Sequence, residues 1–335
     1  MKRIVIAFAL MIVSLAAFGQ AIDRDVLLAG DGALYTVESF FATQADTQIR
    51  STRYLSLTIQ KGTETQKQIV PTTAIGGSHL EPSLAYDNET KTLFIFWEAA
   101  RSGALATDLA FVWYRDGVWG KVTTLDGADW DARTNLRIAL TRKTETTGKD
   151  GLPTSLPEIT VHAVWWQSGG MTEWARYAMI TLDHDDVIVD NVQNLTDFVP
   201  ANAKFVDVPS QREILRHPAV FESSTHDTVD VVFGDPRTDK MHRVTLKPVL
   251  QGRVRITIGK TKEIPTPTAT INSVGNVSAI STGADDIAYY FATSDSMKYM
   301  IYKNGAWSNV RSIALGDRLN ADGAVNALRR MLSSE

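Results

Sequence analysis

Residues 79–125 read HLEPSLAYDNETKTLFIFWEAARSGALATDLAFVWYRDGVWGKVTTL, and this stretch decides the fold. Its apolar runs 83–86, 92–97 and 109–114 are short and rich in aromatic and branched residues. Turn-forming residues bound them, which is the pattern of strands. Asp116-Gly117 then leads into a fourth run, 118–125. An adjacent Asp-Gly suits a two-residue type I′ turn, whose central residues both need positive φ. Four consecutive antiparallel strands follow, the last two joined by a tight hairpin.

The same unit recurs along the chain. Copies are read at 24–73, 79–125, 133–196, 213–263 and 274–315, with a polar insertion at 143–157 inside the third. The second strands align as YTVES (35–39), FIFWEA (94–99), HAVWWQ (162–167), VVFGD (231–235) and AYYFAT (288–293). Taking Val37, Trp97, Trp166, Phe233 and Phe291 as equivalent positions gives spacings of 60, 69, 67 and 58 residues. The outer hairpin Tyr114-Arg-Asp-Gly-Val-Trp119 returns as Tyr302-Lys-Asn-Gly-Ala-Trp307. Four-stranded antiparallel units repeated in series predict an all-β chain folded as a β-propeller. The count is five blades, or six if the long third copy merges two; a β-sandwich is the alternative architecture.

The flanking segments read differently. Lys2 and Arg3 precede an apolar run at 4–18 and small residues at 19 and 21. That is a secretory signal peptide over 1–21, which places the propeller domain at 22–318 in a secreted or periplasmic setting. Without the signal, 32 basic residues face 38 acidic ones, a net charge of −6. There is no basic block and so no nucleic-acid partner. The chain has no cysteine, which excludes disulfides and thiolate chemistry. Residues 319–335 form a tail in which 322–332 carries Val325, Leu328 and Leu332 at helical spacing. A short C-terminal helix is expected there, with no membrane insertion after signal removal.

Three features carry a family resemblance: a Pro-x-apolar-Ala inner strand, an aromatic-Trp second strand and a Tyr-x-Asp/Asn-Gly-x-Trp outer hairpin. The chain resembles the sialidase-like propellers, also called BNR-like repeat proteins. The resemblance is one of blade repeat. The sialidase Asp-box, Ser/Thr-x-Asp-x-Gly-x-Thr-Trp, is absent, because Asp116-Gly117 and Asn304-Gly305 are adjacent pairs. The family's arginine triad has no anchor in the sequence either. Five-bladed glycoside hydrolases acting on arabinans and xylans are similar in general architecture. The resemblance implies a ligand site at one end of the central channel.

Two sets of loops meet at that end. Those leading into the innermost strands offer Glu81, Arg137 and His217, with Val277 in the fifth copy. Those joining the second and third strands offer Glu38, Glu98, Arg101, Gln167, Asp235, Arg237 and Asp295. Glu81 with Glu98 or Asp235 has the chemistry for general acid/base work on a glycosidic bond. Arg101, Arg137, Arg216 and Arg237 can clamp an oxyanion on a sugar. Trp130 and Trp174 offer flat faces for sugar rings. The alternative is a plug of salt bridges at the channel mouth. His79, Glu81 and His217 follow no known metal-site spacing, and the run Asp183, Asp185, Asp186 and Asp190 reads as a solvated turn, so no metal is assigned. No cofactor motif and no nucleophile elbow are present. The expectation is a propeller that binds a glycan or an extracellular protein. The alternatives are a glycoside hydrolase and a structural component of the cell envelope.

Overall fold

The computed structural model describes residues 24–41, 52–101, 106–127, 129–141, 159–169, 172–183, 186–189, 193–195, 216–222, 228–235, 240–251, 253–258, 262–266, 277–281, 287–292 and 296–314. The signal segment 1–21, the tail helix at 322–332, Arg237 and Asp295 lie outside them. Five antiparallel sheets follow one another along the chain. The first is β1 (Arg24–Leu28), β2 (Leu34–Phe41), β3 (Arg53–Lys61) and β4 (Glu64–Ile69). The second is β5 (Ser78–Asp87), β6 (Thr92–Ala100), β7 (Thr107–Arg115), β8 (Val118–Trp119) and β9 (Thr123–Asp126). The third is β10 (Ala132–Thr141), β11 (Ile159–Gly169), β12 (Thr172–Asp183), β13 (Asp186–Val189) and β14 (Gln193–Asn194). The fourth is β15 (Ala219–Glu222), β16 (Val229–Asp235), β17 (Lys240–Gln251), β18 (Arg253–Ile258) and β19 (Lys262–Ile264). The fifth is β20 (Val277–Ser281), β21 (Ile287–Ala292), β22 (Ser296–Lys303), β23 (Ala306–Trp307) and β24 (Arg311–Ala314). The innermost strands β1, β5, β10, β15 and β20 lie each against the next. This is the blade order of an all-β propeller, and the five sheets match the count expected from the repeat.

Burial explains why the sheets stand face to face. Strands β6, β11 and β16 are buried along nearly their whole length on both faces. Such strands carry continuous apolar runs instead of alternation. Trp97 turns toward the first sheet and packs with Val37, Leu55 and Leu57. Phe94 and Phe96 turn the other way and meet Leu136, Ile159 and Trp165 of the third sheet. Trp166 faces onward to Val229 and Phe233 of the fourth, and Val232 onward again to Ile287 and Tyr289 of the fifth. Each such side chain contributes about 1.5–3 kcal/mol on burial.

These faces correct the alignment of the second strands. Trp97 looks back to the preceding sheet, as do Phe233 and Trp165; Trp166 and Val37 look forward to the following one. Trp165 is therefore the counterpart of Trp97, because a slip of one residue moves a side chain to the opposite face. The outer strands need a second correction. The run 118–125 is two strands, β8 and β9, both paired with β7. They are separated where Gly120 N–H bonds the Trp113 carbonyl. The hairpin tips adopt the expected turn, with φ of 50° and 85° at Asp116 and Gly117 and 53° and 84° at Asn304 and Gly305. Trp119 packs on Tyr114 at 4.7 Å between ring centroids and Trp307 on Tyr302 at 5.2 Å, in equivalent places.

Gly77 sets the approach to β5. Its φ is 111°, and a Cβ there would run into the carbonyl oxygen of Ala100 across the sheet. Gly77→Ala is expected to lower the unfolding free energy by about 2 kcal/mol; the shift in urea midpoint at unchanged m-value measures it.

Candidate functional site

The site is built on two bulges. In the β5–β6 ladder Leu80 pairs with Glu98 and Ser83 with Phe96, so Glu81 and Pro82 together oppose Trp97. In the β10–β11 ladder Thr134 pairs with Trp166 and Arg137 with Val164, so Asn135 and Leu136 together oppose Trp165. The extra residue has positive φ in both, 43° at Glu81 and 59° at Asn135. Asn tolerates this region; Glu does not, and the strain costs about 1–3 kcal/mol. Glu81 is thus the counterpart of Asn135, and Arg137 the counterpart of Ser83. The sequence reading that set Glu81 beside Arg137 is therefore out of step by two residues.

The bulge brings Glu81 onto Glu98. Glu98 is only 3% exposed and lies on the face of β6 turned to the third sheet. Its pKa is held well above the usual carboxylate range, first by burial, then by the charge of Glu81 and a hydrogen bond with it. Arg137 and the Leu136 N–H act in the opposite direction. Glu81 Oε2 and Glu98 Oε1 are buried and meet no protein donor. The two carboxyls are neighbours, and the charge of Glu81 adds to burial in disfavouring ionisation of Glu98. Arg137 also donates through Nη1 to the Leu136 carbonyl at 2.5 Å.

His217 closes the group from the fourth sheet. Its imidazole pKa falls to about 3, mainly through burial and then through the nearby Arg137 and Arg216. It is neutral at physiological pH, and its Nδ1 is buried with no hydrogen-bond partner. Asn135 Nδ2 donates to the Arg216 carbonyl at 2.9 Å, which ties the third innermost strand to the chain entering the fourth. Glu81, Glu98, Arg137 and His217 therefore form one linked group across three sheets.

The other candidates are placed apart from it. Asp235 is fully buried at the end of β16, on the face shared with Phe233 that turns to the third sheet. It lies at the same end of the molecule as Glu98, in the seam on the other side of the third blade. Arg101 bonds Asp108 through two nitrogens and the Asp129 carbonyl through a third. Arg216 pairs with Glu173 at 3.4 Å, and Glu38 with Lys67 at 3.1 Å. Each of these charges is thus paired within or beside its own blade. Trp174 is half-buried beside Gln167 in the ladder, and Val277 is a ladder residue opposite Phe291. Trp130 is 82% exposed.

His79 points away from the carboxyl pair. It accepts a hydrogen bond at Nδ1 from Trp97 Nε1 at 3.0 Å, and burial lowers its pKa to about 4. Among the described residues no group of three His, Asp or Glu side chains is placed to hold a metal ion.

Arg133 is a residue that the sequence reading missed. It is fully buried and donates to Asp126 at 2.7 Å, Asp129 at 2.8 Å, the Thr107 carbonyl at 3.0 Å and the Asp131 carbonyl at 3.1 Å. The signal was present as three aspartates within the eight residues 126–133, ending in an arginine.

No protein-family model matches this chain. No curated protein matches it either. Solved structures resemble it at low similarity. An α-L-arabinanase from Penicillium chrysogenum complexed with arabinobiose is 11% identical over 85% of this chain and 79% of its own, with a TM-score of 0.48. An α-L-arabinofuranosidase from Fusarium graminearum with an iminosugar inhibitor is 12% identical over 84% and 76%, at 0.44. A thermostable family-43 glycoside hydrolase is 12% identical over 89% and 96%, at 0.40.

Because Glu98 binds its proton more tightly in the folded chain, the stability it adds is full below the unfolded glutamate pKa of about 4.3. It is lost as pH rises through the raised folded value. Glu98→Gln keeps a neutral side chain of the same shape and removes that dependence. Histidines with lowered pKa values act on both proteins alike and cancel. The melting temperature of E98Q is expected to gain on the wild type as pH rises above about 5; a difference independent of pH contradicts the assignment.

Proposed function

We propose that the protein is an exported glycoside hydrolase acting at the channel mouth of its propeller. The apolar leader at 1–21 supports the exported setting. The observation that carries the reading is the Glu81–Glu98 pair: a buried carboxyl whose pKa is pushed up by burial and by a neighbouring glutamate that stands on strained backbone. Strain and a displaced pKa in one spot are the marks of a working site.

The pair works as one group. Carboxyls that flank a glycosidic bond stand about 5–5.5 Å apart in retaining enzymes and about 6.5–9.5 Å apart in inverting ones. Glu81 and Glu98 are neighbours and count in this reading as one of the two flanking groups. In this reading Glu81, the member open to the mouth, passes the shared proton to the leaving-group oxygen. The pair is left doubly ionised, and Arg137 and the Leu136 N–H balance the added charge. The opposing carboxylate is Asp235 from the next seam. It takes a proton from the attacking water, so the bond to the leaving oxygen breaks as the bond to water forms.

A second reading, glycan binding without turnover, is favoured by the complete burial of Asp235. A panel of neutral and acidic polysaccharides and aryl glycosides separates the two. Hydrolysis predicts reducing-sugar release by the wild type, with kcat lowered about 100-fold or more in Glu81→Gln and Asp235→Asn at unchanged melting temperature. Binding without any release supports the second reading and overturns the first.

A further inference from the structure

Trp130 is 82% exposed, and both of its chain neighbours are tied down by hydrogen bonds. Asp129 on one side accepts from Arg133 Nη2 through its carboxylate and from Arg101 Nη1 through its carbonyl. Asp129 Oδ1 also accepts the Asp131 N–H at 3.0 Å, closing a short turn around the tryptophan. Asp131 on the other side accepts from Arg133 Nη1 and the Thr107 N–H through its carbonyl. Two arginines, one of them fully buried, clamp a three-residue tip that presents an indole ring to solvent. The cost of burying the Arg133 guanidinium is offset by its four acceptors, and the loop that carries Trp130 is held in the process.

A second feature is tied to the same loop. Gln167 is 4% exposed and donates through Nε2 to Asp131 Oδ2 at 2.7 Å. Its Oε1 is buried without a partner. An unmet acceptor of this kind costs about 1–3 kcal/mol unless a donor arrives. The tip precedes β10 and lies at the same end of the molecule as Glu81 and Glu98. Trp130 is five residues from the Asn135 bulge, at most about 17 Å along extended chain.

We propose that Trp130 is a sugar-stacking platform, an outer subsite for a glycan chain running from the channel mouth, with Gln167 Oε1 accepting a hydroxyl of the same chain. The inference rests on the carbohydrate reading of the mouth. A sugar ring offers what this corner lacks: an apolar C–H face for the indole and hydroxyl donors for the amide oxygen. A protein partner would want an apolar patch around the anchor. The other exposed large hydrophobics among the described residues are Phe41, Ile69, Val118 and Val310, on other strands and at the opposite hairpin tip. The clamp is the expected design for such a platform, since a ring fixed before binding loses little entropy on contact.

Affinity electrophoresis of the full chain in native gels containing single polysaccharides tests this. At least one polysaccharide should retard the wild type. Trp130→Ala should weaken that retardation about fivefold to tenfold, and Trp130→Phe, which keeps a stacking face, by no more than about twofold. Melting temperature checks that the fold is unchanged. Retardation of W130A equal to the wild type overturns the platform, as does a wild type that no polysaccharide retards. Turnover of short aryl glycosides by the wild type is read in parallel. Loss of polymer binding in W130A with no aryl-glycoside turnover even by wild type supports the platform and removes only the hydrolytic reading.

Discussion

The second strands of the middle blades are buried on both faces, and the molecule is arranged around that constraint. Strands β6, β11 and β16 each sit between two neighbouring sheets. Their apolar side chains form the seams that hold successive blades together. The same burial continues to the ends of these strands, where the chain turns polar. Glu98, Gln167 and Asp235 therefore lie out of water at one end of the propeller. A polar group placed there must find a partner, share a proton or wait for a ligand.

For Glu98 the neighbour is Glu81, and the bulge in β5 brings it there. Without the extra residue the innermost strand would stay in regular register and Glu81 would occupy an ordinary ladder position. With it, the carboxylate meets Glu98 at the seam with the third blade. The parallel bulge in β10 puts Asn135 at the matching place, where it bonds the Arg216 carbonyl instead. One backbone device, repeated in adjacent blades, carries a chemical group in one and a structural tie in the next. Arg133 shows the same division of labour from the other side: it serves no ligand, but it fixes the loop that bears Trp130.

Much of the fold was legible in the sequence. The apolar runs, the Asp-Gly and Asn-Gly hairpins and the paired Tyr114–Trp119 and Tyr302–Trp307 follow from local chemistry, which repeats faithfully between blades. The site was legible only in part. Glu81, Glu98, Arg137 and His217 were placed at the correct end, because that depends only on strand order. Which of them meet depends on a bulge, and a bulge leaves no sequence mark when its extra residue is Glu. The adjacent Trp165-Trp166 pair offers two registers, and the one chosen put Trp166 on the wrong face. Arg101 and Arg216 looked like ligand clamps because their partners, Asp108 and Glu173, lie on neighbouring elements that sequence alone does not bring near. Arg133 went unnoticed for the same reason, although the aspartates beside it were in plain view.

The central claim is that one proton resides in the Glu81–Glu98 pair at neutral pH. Infrared difference spectroscopy of the wild type against Glu98→Gln tests it directly, because a protonated carboxyl has a carbonyl stretch separate from the bands of carboxylates and amides. The account predicts that the wild type at pH 7 carries a protonated-carboxyl band that shifts in heavy water and disappears in E98Q. A spectrum in which the substitution removes only ionised-carboxylate absorption would contradict it.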